Sequence, residues 1–496
     1  MATVTPPSRA PASTVRDRGF FGHPRGLSTL FFTEMWERFS YYGMRAILIL
    51  FMTAPVTVGG LGFDTAKAGP IYALYVSSVY LLSVPGGWVA DRVLGLRRTV
   101  FVGGVIIMMG HICLAVPSIT TFYLGLALIA TGTGLLKSNV SVLVGKLYTP
   151  EDVRRDSGYS IYYMGINLGA MVAPLICGYL GQNINYRWAF LSAGLFMLAG
   201  LLQFSLTGRY LGYAGLAPAV PVTKQDWAGL RWAGAGLGLM LAAMAYLRPS
   251  IAGFADAFGL ILLLTTVVVF VALIFFSDFT AAEKRRIQLI FVLFCASCLF
   301  WSSFEQAGST LSLFADRSTD NRVLGLAFPS SFFQSLNSVF ILLLAPVFAW
   351  LWVKLGDRDP SLPTKFSWGL LLVAAGFVVM AFAAVAAGAS GKVGPEWLAF
   401  TYLLHSAGEL CLSPVGLSAM TKLAPPRIGG FMMGVWFLSI AVGNFMGGRV
   451  ASFYEAFPLP QLFGLVAAFG IVFGLILLVV AKPVARLMGT DQPRAN

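Results

Sequence analysis

Charge is scarce in this sequence. Charged residues make up only 11% of its 496 residues, whereas hydrophobic residues make up 57%. Soluble domains do not have this composition, so a soluble enzyme or binding module is excluded and a polytopic membrane protein is predicted. Histidine is rarer still, with His23, His111 and His405 far apart in the sequence. Because no H-x-x-x-H or D-x-x-D spacing lies at membrane depth, we expect neither an enzyme nor a bound metal or organic cofactor.

Cysteine is also sparse, and we expect free, buried thiols rather than disulfides or metal ligands because every cysteine lies in an apolar stretch. The five are Cys113, Cys177, Cys295, Cys298 and Cys411. Residues 1–26 contain no apolar core region, so no cleavable signal peptide is expected. The net charge of +13 does not require a nucleic-acid partner, because basic cytoplasmic loops give a membrane protein the same excess.

Long hydrophobic segments are what the sequence has in abundance. Fourteen of them are long enough to cross an apolar core of about 30 Å. They lie at 27–55, 67–90, 97–116, 120–147, 157–182, 187–207, 228–247, 253–277, 287–314, 328–355, 366–388, 396–421, 429–454 and 460–485. The prediction is an all-α protein with fourteen transmembrane helices, whose even number returns both ends of the chain to one side.

Lysine and arginine are distributed unevenly between the loops. One set of alternate loops, together with both chain ends, holds most of them. The other set holds only Lys67, Arg187, Arg248, Arg317, Arg322 and Lys392. Because cytoplasmic loops are enriched in basic residues, this bias supports the helix count and predicts that both termini are cytoplasmic.

A stripe of polar side chains interrupts the first hydrophobic segment. At about 100° per residue its members cluster on one face of a helix. They are Glu34, Glu37, Arg38, Tyr41, Tyr42 and Arg45. An ionisable group at membrane depth costs about 2.5–3.5 kcal/mol unless it faces protein or water, so the stripe is expected to line a polar cavity.

The loop at 86–98 carries the pattern G-x-x-x-D-R-x-x-G-x-R-R. It resembles the signature between helices two and three of the major facilitator superfamily. The resemblance implies that Asp91, Arg92, Arg97 and Arg98 sit at helix ends on the cytoplasmic side, in ion pairs that break as the two halves rock. A weakly similar stretch at 348–365 indicates an internal repeat, as in many transporters.

Residues 34–42 match the E-x-x-E-R-F-x-Y-Y motif, and the chain thereby resembles the proton-coupled oligopeptide transporter (POT, or PTR2) family. Further blocks similar to that family follow in order at 132–141, 162–170, 300–310, 333–349, 408–418 and 434–448. One departure is Ser138, where the family usually has proline after the lysine. This departure leaves open whether the helix bends beside Lys137, but it does not change the role expected for the lysine.

The resemblance implies a major facilitator fold of two six-helix bundles with an inserted helix pair, as is typical of bacterial members. The predicted divisions are a cytoplasmic tail (1–26), an N-terminal bundle (27–207), a linker with the inserted pair (208–285), a C-terminal bundle (286–486) and a second tail (487–496). It also implies a bacterial inner membrane and a functional monomer. The inserted pair is expected to serve packing, because it carries almost no interior charge.

Roles for individual residues follow from the same resemblance. Arg38 and Lys137 would receive a peptide carboxylate, or would only neutralise acidic neighbours. Glu34, Glu37, Arg38 and Glu305 would couple transport to protons. The alternative for either of the first two glutamates alone is a structural ion pair. Glu409 would receive the peptide ammonium together with Asn167 and Asn337, which are otherwise interhelical hydrogen-bonding groups. The remaining predicted peptide-binding residues are Tyr41, Tyr42, Arg45, Tyr80, Trp301, Ser413 and Trp436. The alternative for the aromatic residues is helix packing or an interfacial belt.

Charge counting supports this interpretation without the resemblance. Four interior glutamates face three interior cations, Arg38, Arg45 and Lys137, so one carboxylate has an incentive to bind a proton. A zwitterionic peptide brings one ammonium and one carboxylate, which such a site can match pairwise. Glu305 can pair with Arg45 as a gate or with Lys137, and the sequence does not choose between the two.

The predicted function is proton-coupled import of di- and tripeptides by alternating access, with protons as the coupling ion. The alternative is a related transporter of another small anion or zwitterion, such as nitrate, an amino acid or a peptide-like drug. The expected partners are small peptides, protons and the lipid bilayer, and no nucleic acid.

Overall fold

The computed structural model consists almost entirely of helices in the residues it describes. Those residues are 17–149, 151–218, 222–224, 226–229, 231, 250–425 and 428–487. The long helices, in chain order, are α1 (Gly26–Thr53), α2 (Thr65–Leu94), α3 (Leu96–Ala115), α4 (Ile119–Gly145), α5 (Arg155–Ile184), α6 (Tyr186–Leu211), α7 (Ile251–Phe275), α8 (Ala281–Arg317), α9 (Ser330–Leu355), α10 (Leu362–Ser390), α11 (Glu396–Leu423), α12 (Gly429–Val450) and α13 (Leu459–Leu487). Two short strands, β1 (Arg322–Val323) and β2 (Leu326–Ala327), form an antiparallel hairpin between α8 and α9.

The helices follow the predicted segments within a few residues. The seventh predicted segment, 228–247, lies outside the described residues except at its first positions. In the described part of the chain, 11 helices are long and apolar enough to cross a membrane. The charged stripe of α1 keeps that helix out of this set, although its 28 residues are sufficient in length.

Side chains at the helix starts explain several of the boundaries. Asp64 accepts a hydrogen bond from the Lys67 N–H at the start of α2. Before α8, Thr280 and Glu283 form a capping box in which each side chain bonds to the backbone N–H of the other. The helix therefore begins at Ala281, earlier than the predicted 287, because its first turns are charged and capped rather than apolar. Between α2 and α3, Gly95 has φ of 78°, a conformation that suits glycine.

Two groups of six helices pack against each other. In the first group α1 packs on α5 and α6, and α3 packs on α4 and α6. In the second, α10 packs on α11 and α13, α8 on α12, and α9 on α11. The groups meet mainly where α2 contacts α12 and where α5 contacts α9. We call the membrane side at which α1 begins the near side and the other the far side.

Helix α7 lies at the edge of both groups. It contacts α2 of the first group and α8 and α12 of the second. Asp256, near its start, pairs with Arg449 near the far end of α12 at 2.8 Å, and Phe270 packs on two phenylalanines of α8. These contacts suit the packing role predicted for the inserted segment.

The five cysteines are free thiols. The prediction that all are buried is wrong for Cys295, which is exposed on the surface of α8, whereas Cys113 is partly buried. A membrane helix is apolar on its lipid-facing side as well as in its packed interior. Apolar neighbours in the sequence therefore do not distinguish the two sides.

Candidate functional site

The charged stripe of α1 forms a buried ion cluster. Arg38 Nε lies 3.0 Å from Glu34 Oε1, and Arg38 Nη2 lies 2.5 Å from Glu37 Oε2. All three side chains are at most 3% exposed. Glu37 Oε1 has no hydrogen-bond partner among the described residues. One guanidinium thus serves two carboxylates, which leaves the cluster with one excess negative charge when both are ionised.

Lys137 lies close to this cluster on α4. Its Nζ is 3.5 Å from the centroid of the Tyr80 ring, in a cation–π contact. Within the described part of the chain no carboxylate lies within ion-pair distance of Lys137, in contrast to Arg38 and Arg45. Lys137 is therefore a cation that an anionic group of a ligand can approach without breaking an ion pair.

Arg45 and Glu305 join the two groups of helices. Arg45 Nη2 donates to Glu305 Oε2 at 2.7 Å, and Arg45 Nε donates to the Tyr72 hydroxyl at 3.1 Å. The structure thereby selects the pairing of Glu305 with Arg45 over the pairing with Lys137. The arginine and glutamate side chains are 6% and 5% exposed.

A break in α8 places Glu305 in this position. The helix narrows to a 3-10 segment at Glu305–Gly308 and resumes at Thr310. A Cβ at Gly308 would clash with the Tyr72 hydroxyl, so only glycine permits this approach of α2 and Arg45. Irregular backbone at membrane depth occurs where it is enclosed by protein or lines a cavity.

On the second group of helices, Glu409 forms the other charged centre. Asn337 Nδ2 donates to Glu409 Oε2 at 3.1 Å and to Ser406 Oγ at 3.0 Å. No cation pairs with Glu409 among the described residues. Ser413 lies one turn further along α11. The two groups therefore present opposite unpaired charges, Lys137 on the first and Glu409 on the second.

A small cavity lies between the two groups. Its lining residues are Tyr42, Arg45, Ala170, Phe304, Ala307, Gln334, Asn337, Ser338, Tyr402 and His405. The lining includes three predicted peptide-binding residues, Tyr42, Arg45 and Asn337, and it is contributed by both groups of helices.

Several lining residues were not predicted from the sequence. Gln334 and Ser338 lie three residues before and one residue after Asn337 on α9. Because positions three and four apart share a helix face, the spacing from Asn337 is the signal that could have found Gln334. Tyr402 and His405 precede Glu409 on α11.

The predicted aromatic residues divide into two sets. Tyr41 and Tyr42 pack edge to face at 5.2 Å, and the Arg38 and Arg45 guanidinium carbons lie 5.3 and 5.8 Å from their respective ring centroids. Trp436, in contrast, packs edge to face on Phe366 of α10.

Three further predicted side chains are buried. A Cβ at Gly416 of α11 would clash with Trp436, so this tryptophan is held inside the second group of helices. Trp301 is also buried, and its rings lie 5.4 Å from those of Phe300 and Phe304. The Asn167 amide donates to the Tyr163 carbonyl of its own helix at 3.0 Å.

The loop between α2 and α3 contacts the chain that follows α6. Arg92 Nη1 donates to Asp226 Oδ2 at 2.6 Å. Arg97 donates to the carbonyls of Ala214 and Gly212 at 2.7 and 2.5 Å. Asp91 is exposed and forms no ion pair with any described residue, and the same holds for Arg98. Arg92 and Arg97 thus hold the linker that follows α6.

Hydrogen bonds from Thr223 and the Arg92 guanidinium hold the pKa of Asp226 below its ordinary value. On the same side, His23 accepts or donates at 2.9 Å to the Tyr148 hydroxyl and lies 3.4 Å from Ser157 Oγ. Burial and the nearby Arg154 guanidinium lower the pKa of His23 from its ordinary value of 6.5. The segment before α1 is therefore docked through a neutral histidine.

Hydrogen bonds and ion pairs between described residues of the two groups lie in the far half of the bundle. Besides Arg45 and Glu305, Ser77 Oγ of α2 donates to the Ala441 carbonyl of α12 at 2.8 Å. Gln182 of α5 donates to Ser330 Oγ at 2.7 Å. Among the described residues no hydrogen bond or ion pair joins the two groups in the near half. This conformation is closed on the far side.

Within the described ranges no group of three or more histidine, cysteine, aspartate or glutamate side chains is arranged to hold a metal ion. The site instead consists of ion pairs, unpaired charges of both signs, amides and aromatic rings around a cavity between two helix groups.

Comparison with known proteins agrees with this arrangement. The chain is 45% identical over 483 residues to an uncharacterised transporter, YclF, of Bacillus subtilis (strain 168), covering 96% of this chain and 97% of that one. It is 38% identical to a di-/tripeptide transporter of Lactococcus lactis subsp. cremoris, covering 95% and 98%. The crystal structure of a peptide transporter POT in complex with sulfate superposes with a TM-score of 0.91 at 44% identity, covering 96% of this chain and 98% of that one.

These similarities extend over nearly the whole chain. They confirm the expected major facilitator fold, which the two groups of six helices already indicate. Residues 97–470 match the model of the PTR2 (POT) family. The chain is a multi-pass membrane protein and belongs to the POT family of transporters.

Proposed function

We propose that this protein is a proton-coupled symporter that imports di- and tripeptides across a bacterial inner membrane by alternating access. It acts as a transporter and not as an enzyme, since its polar groups surround a cavity between two helix groups. Both termini are cytoplasmic, so the near side is the cytoplasm, and the protein works as a monomer. The basic loops of the near side support this orientation. The similarity to di-/tripeptide transporters supports the substrate.

One observation carries the proposal: each helix group presents an unpaired charge of opposite sign. Among the described residues Lys137 has no carboxylate partner, and Glu409 is held by the Asn337 amide rather than by a cation. A zwitterion with its carboxylate toward Lys137 and its ammonium toward Glu409 would supply the missing partner of each. It would thereby favour the approach of the two groups around it. A single amino acid spans a shorter distance between its charges than a di- or tripeptide does.

Proton coupling is assigned to the cluster on α1. Arg38 is shared by Glu34 and Glu37, so a proton on either carboxylate removes the excess negative charge and frees part of the guanidinium. The freed donors can then bind the substrate carboxylate next to Lys137. Substrate and proton thus favour each other's binding, which is the reciprocal linkage that symport requires.

The tyrosine rings beside these charges support a broad substrate range. Tyr41, Tyr42 and Tyr80 offer rigid apolar area with polar tips, which accommodates different side chains without a specific partner for each. The substrate class is then defined by its charged termini. The protein would accept many peptide sequences and reject molecules that lack either charge.

Competition in proteoliposomes tests this proposal. Uptake of a labelled dipeptide is measured with an inward proton gradient, in the presence of excess tripeptide, free amino acid or nitrate, with and without an uncoupler. We expect competition by tripeptide alone and loss of accumulation with the uncoupler. Competition by nitrate or free amino acids instead would assign the protein to the other small-ion or zwitterion transporters of its family.

A further inference from the structure

A polar face of α9 runs from the far end of the bundle to the cavity. Ser331, Gln334 and Asn337 recur every three residues, and Ser338 completes the face. At the far end the Ser331 N–H donates to Gln182 Oε1 of the first helix group at 3.0 Å. At the other end Asn337 bonds to Glu409. Gln334 lies midway between the two.

Gln334 crosses from one helix group to the other. Its Nε2 donates to the Ala46 carbonyl of α1 at 3.3 Å and to Ser312 Oγ of α8 at 2.9 Å. Ala46 directly follows Arg45, the arginine of the far-side ion pair. The two N–H groups of one amide therefore connect the backbone beside Arg45 with the second half of α8.

The same side chain also faces the cavity. Gln334 is one of the lining residues, with 9% of its surface exposed. Its Oε1 accepts no hydrogen bond from any described residue, yet the atom is not enclosed by protein. An amide whose two donors are both occupied is fixed in orientation, and in a residue that lines the cavity its acceptor is available to an N–H of a bound molecule.

We propose that Gln334 is a positioning residue that both contacts the substrate and holds the far side closed. Its Oε1 accepts a hydrogen bond from an N–H of the peptide, while its amide donors hold α1 at Ala46. A substrate in the cavity thus fixes the hydrogen bond from Gln334 to Ala46, which lies beside the Arg45–Glu305 pair. The inference rests on the proposed peptide transport and adds to it a neutral contact that neither charged centre supplies.

The chain offers a matched control in Gln203. This glutamine also joins two helices, since its Nε2 donates to Thr207 Oγ1 at 2.9 Å and to the Thr29 carbonyl at 3.4 Å. Both helices, α1 and α6, belong to the first group, and Gln203 does not line the cavity. Substitution of either glutamine by methionine keeps the length of the side chain and removes its hydrogen bonds.

The experiment compares Gln334→Met, Gln203→Met and the unsubstituted protein in proteoliposomes. Uptake of Ala-Ala gives KM and the maximal rate, and the unfolding midpoint of each purified protein reports folding. We expect Gln334→Met to raise KM about two- to tenfold, as for loss of a neutral hydrogen bond to a ligand, and to lower the maximal rate. Gln203→Met should leave KM unchanged.

An unchanged KM in folded Gln334→Met would overturn the inference, and so would an equal increase in Gln203→Met. Where Gln334→Met does not fold, Ser312→Ala carries the test. This variant frees one amide donor of Gln334, so it should also raise KM, but by a smaller factor than Gln334→Met. An unchanged KM in Ser312→Ala overturns the inference as well. Failure of the unsubstituted protein to take up Ala-Ala would instead refute the proposed function.

Discussion

Breaking the Arg45–Glu305 pair should open the far side of the protein. In Glu305→Gln the shape of the side chain is kept, but the Arg45 guanidinium loses its anionic partner while only about 6% of it is exposed. Removal of one member of a buried ion pair typically costs about 3–5 kcal/mol. That cost applies to the closed state alone if the pair separates and hydrates when the far side opens.

The expected magnitude follows directly. About 1.4 kcal/mol changes an equilibrium tenfold, so the ratio of closed to open molecules should fall on the order of 10² to 10³-fold. The hydrogen bond from Arg45 to Tyr72 and the contacts of Gln182 remain in the variant. The result should therefore be a shift in population between two states and not a loss of folded protein.

Spin labels on the far side can measure this shift. Val58 follows α1 and is 61% exposed, whereas Leu324 is 99% exposed at the tip of the β1–β2 hairpin of the second group. Cys113 and Cys295, the less buried native cysteines, would first be replaced by serine. Pulsed electron paramagnetic resonance should give a predominantly short distance in the parent and a longer, dominant distance in Glu305→Gln.

A second ion pair provides the control. Arg317 and Glu455 are 2.7 Å apart on the far side, but both belong to the second helix group and are 35% and 46% exposed. An exposed pair contributes about 0–1 kcal/mol, so Arg317→Gln should keep the parent distance distribution. This variant removes the pair but leaves Glu455, which also interacts with Thr65 of the first group, in place. The reasoning is refuted if Glu305→Gln retains the parent distribution, or if Arg317→Gln shifts it to the same extent.

Three further predictions concern other parts of the molecule. Glu37→Gln should abolish proton-driven accumulation of peptide in proteoliposomes but retain peptide exchange, and intact accumulation would remove the coupling role of the α1 cluster. Gly86→Ala should lower the unfolding midpoint, at a cost of about 1–3 kcal/mol, because its Cβ would clash with a backbone oxygen of α4. Gly87→Ala should leave the unfolding midpoint unchanged, because its Cβ would have its nearest neighbour at 4.0 Å. Equal midpoints for the two variants would contradict the packing argument. Because docking lowers the pKa of His23 from 6.5, docking of residues 17–25 is stable above that pH and weakens as the pH falls below it. A spin label at the exposed Phe21 should gain mobility between pH 7.5 and 5 in the parent but show no such change with pH in His23→Phe.

The positions of the helices could be predicted because each membrane helix corresponds to a long hydrophobic segment of the sequence. The exceptions have local causes, such as α8, which begins at Ala281 in a charged, capped turn that no apolar window includes. The exposure of Cys295 was missed because lipid replaces water as the surroundings of an outward-facing side chain. An apolar segment therefore predicts that a helix crosses the membrane, but not which of its side chains lie in the protein core.

Pairings between distant helices could not be predicted to the same extent. Spacing along one helix places Glu34, Glu37 and Arg38 together, and the structure joins them. The choice of Arg45 over Lys137 as the partner of Glu305 depends on the packing of α1, α2 and α8, which no single-helix pattern contains. Spacing within one helix therefore predicts which side chains meet, whereas the separation of residues on different helices does not.

The linker shows the same limit. The motif at 86–98 predicted ion pairs without identifying their partners, and in the structure Arg92 and Arg97 bind the chain after α6. That stretch is irregular and has no periodicity from which its path can be read. Trp436 packs on Phe366, in line with the packing alternative that the sequence left open for the aromatic residues.

The central claim is that proton and peptide cross the membrane together. A pH-sensitive dye trapped in proteoliposomes reports proton entry while labelled Ala-Ala reports peptide entry in the same vesicles. The account predicts that addition of peptide acidifies the lumen, and that uptake and acidification fall together in Glu37→Gln. Accumulation of peptide against its gradient with no change in internal pH would contradict it.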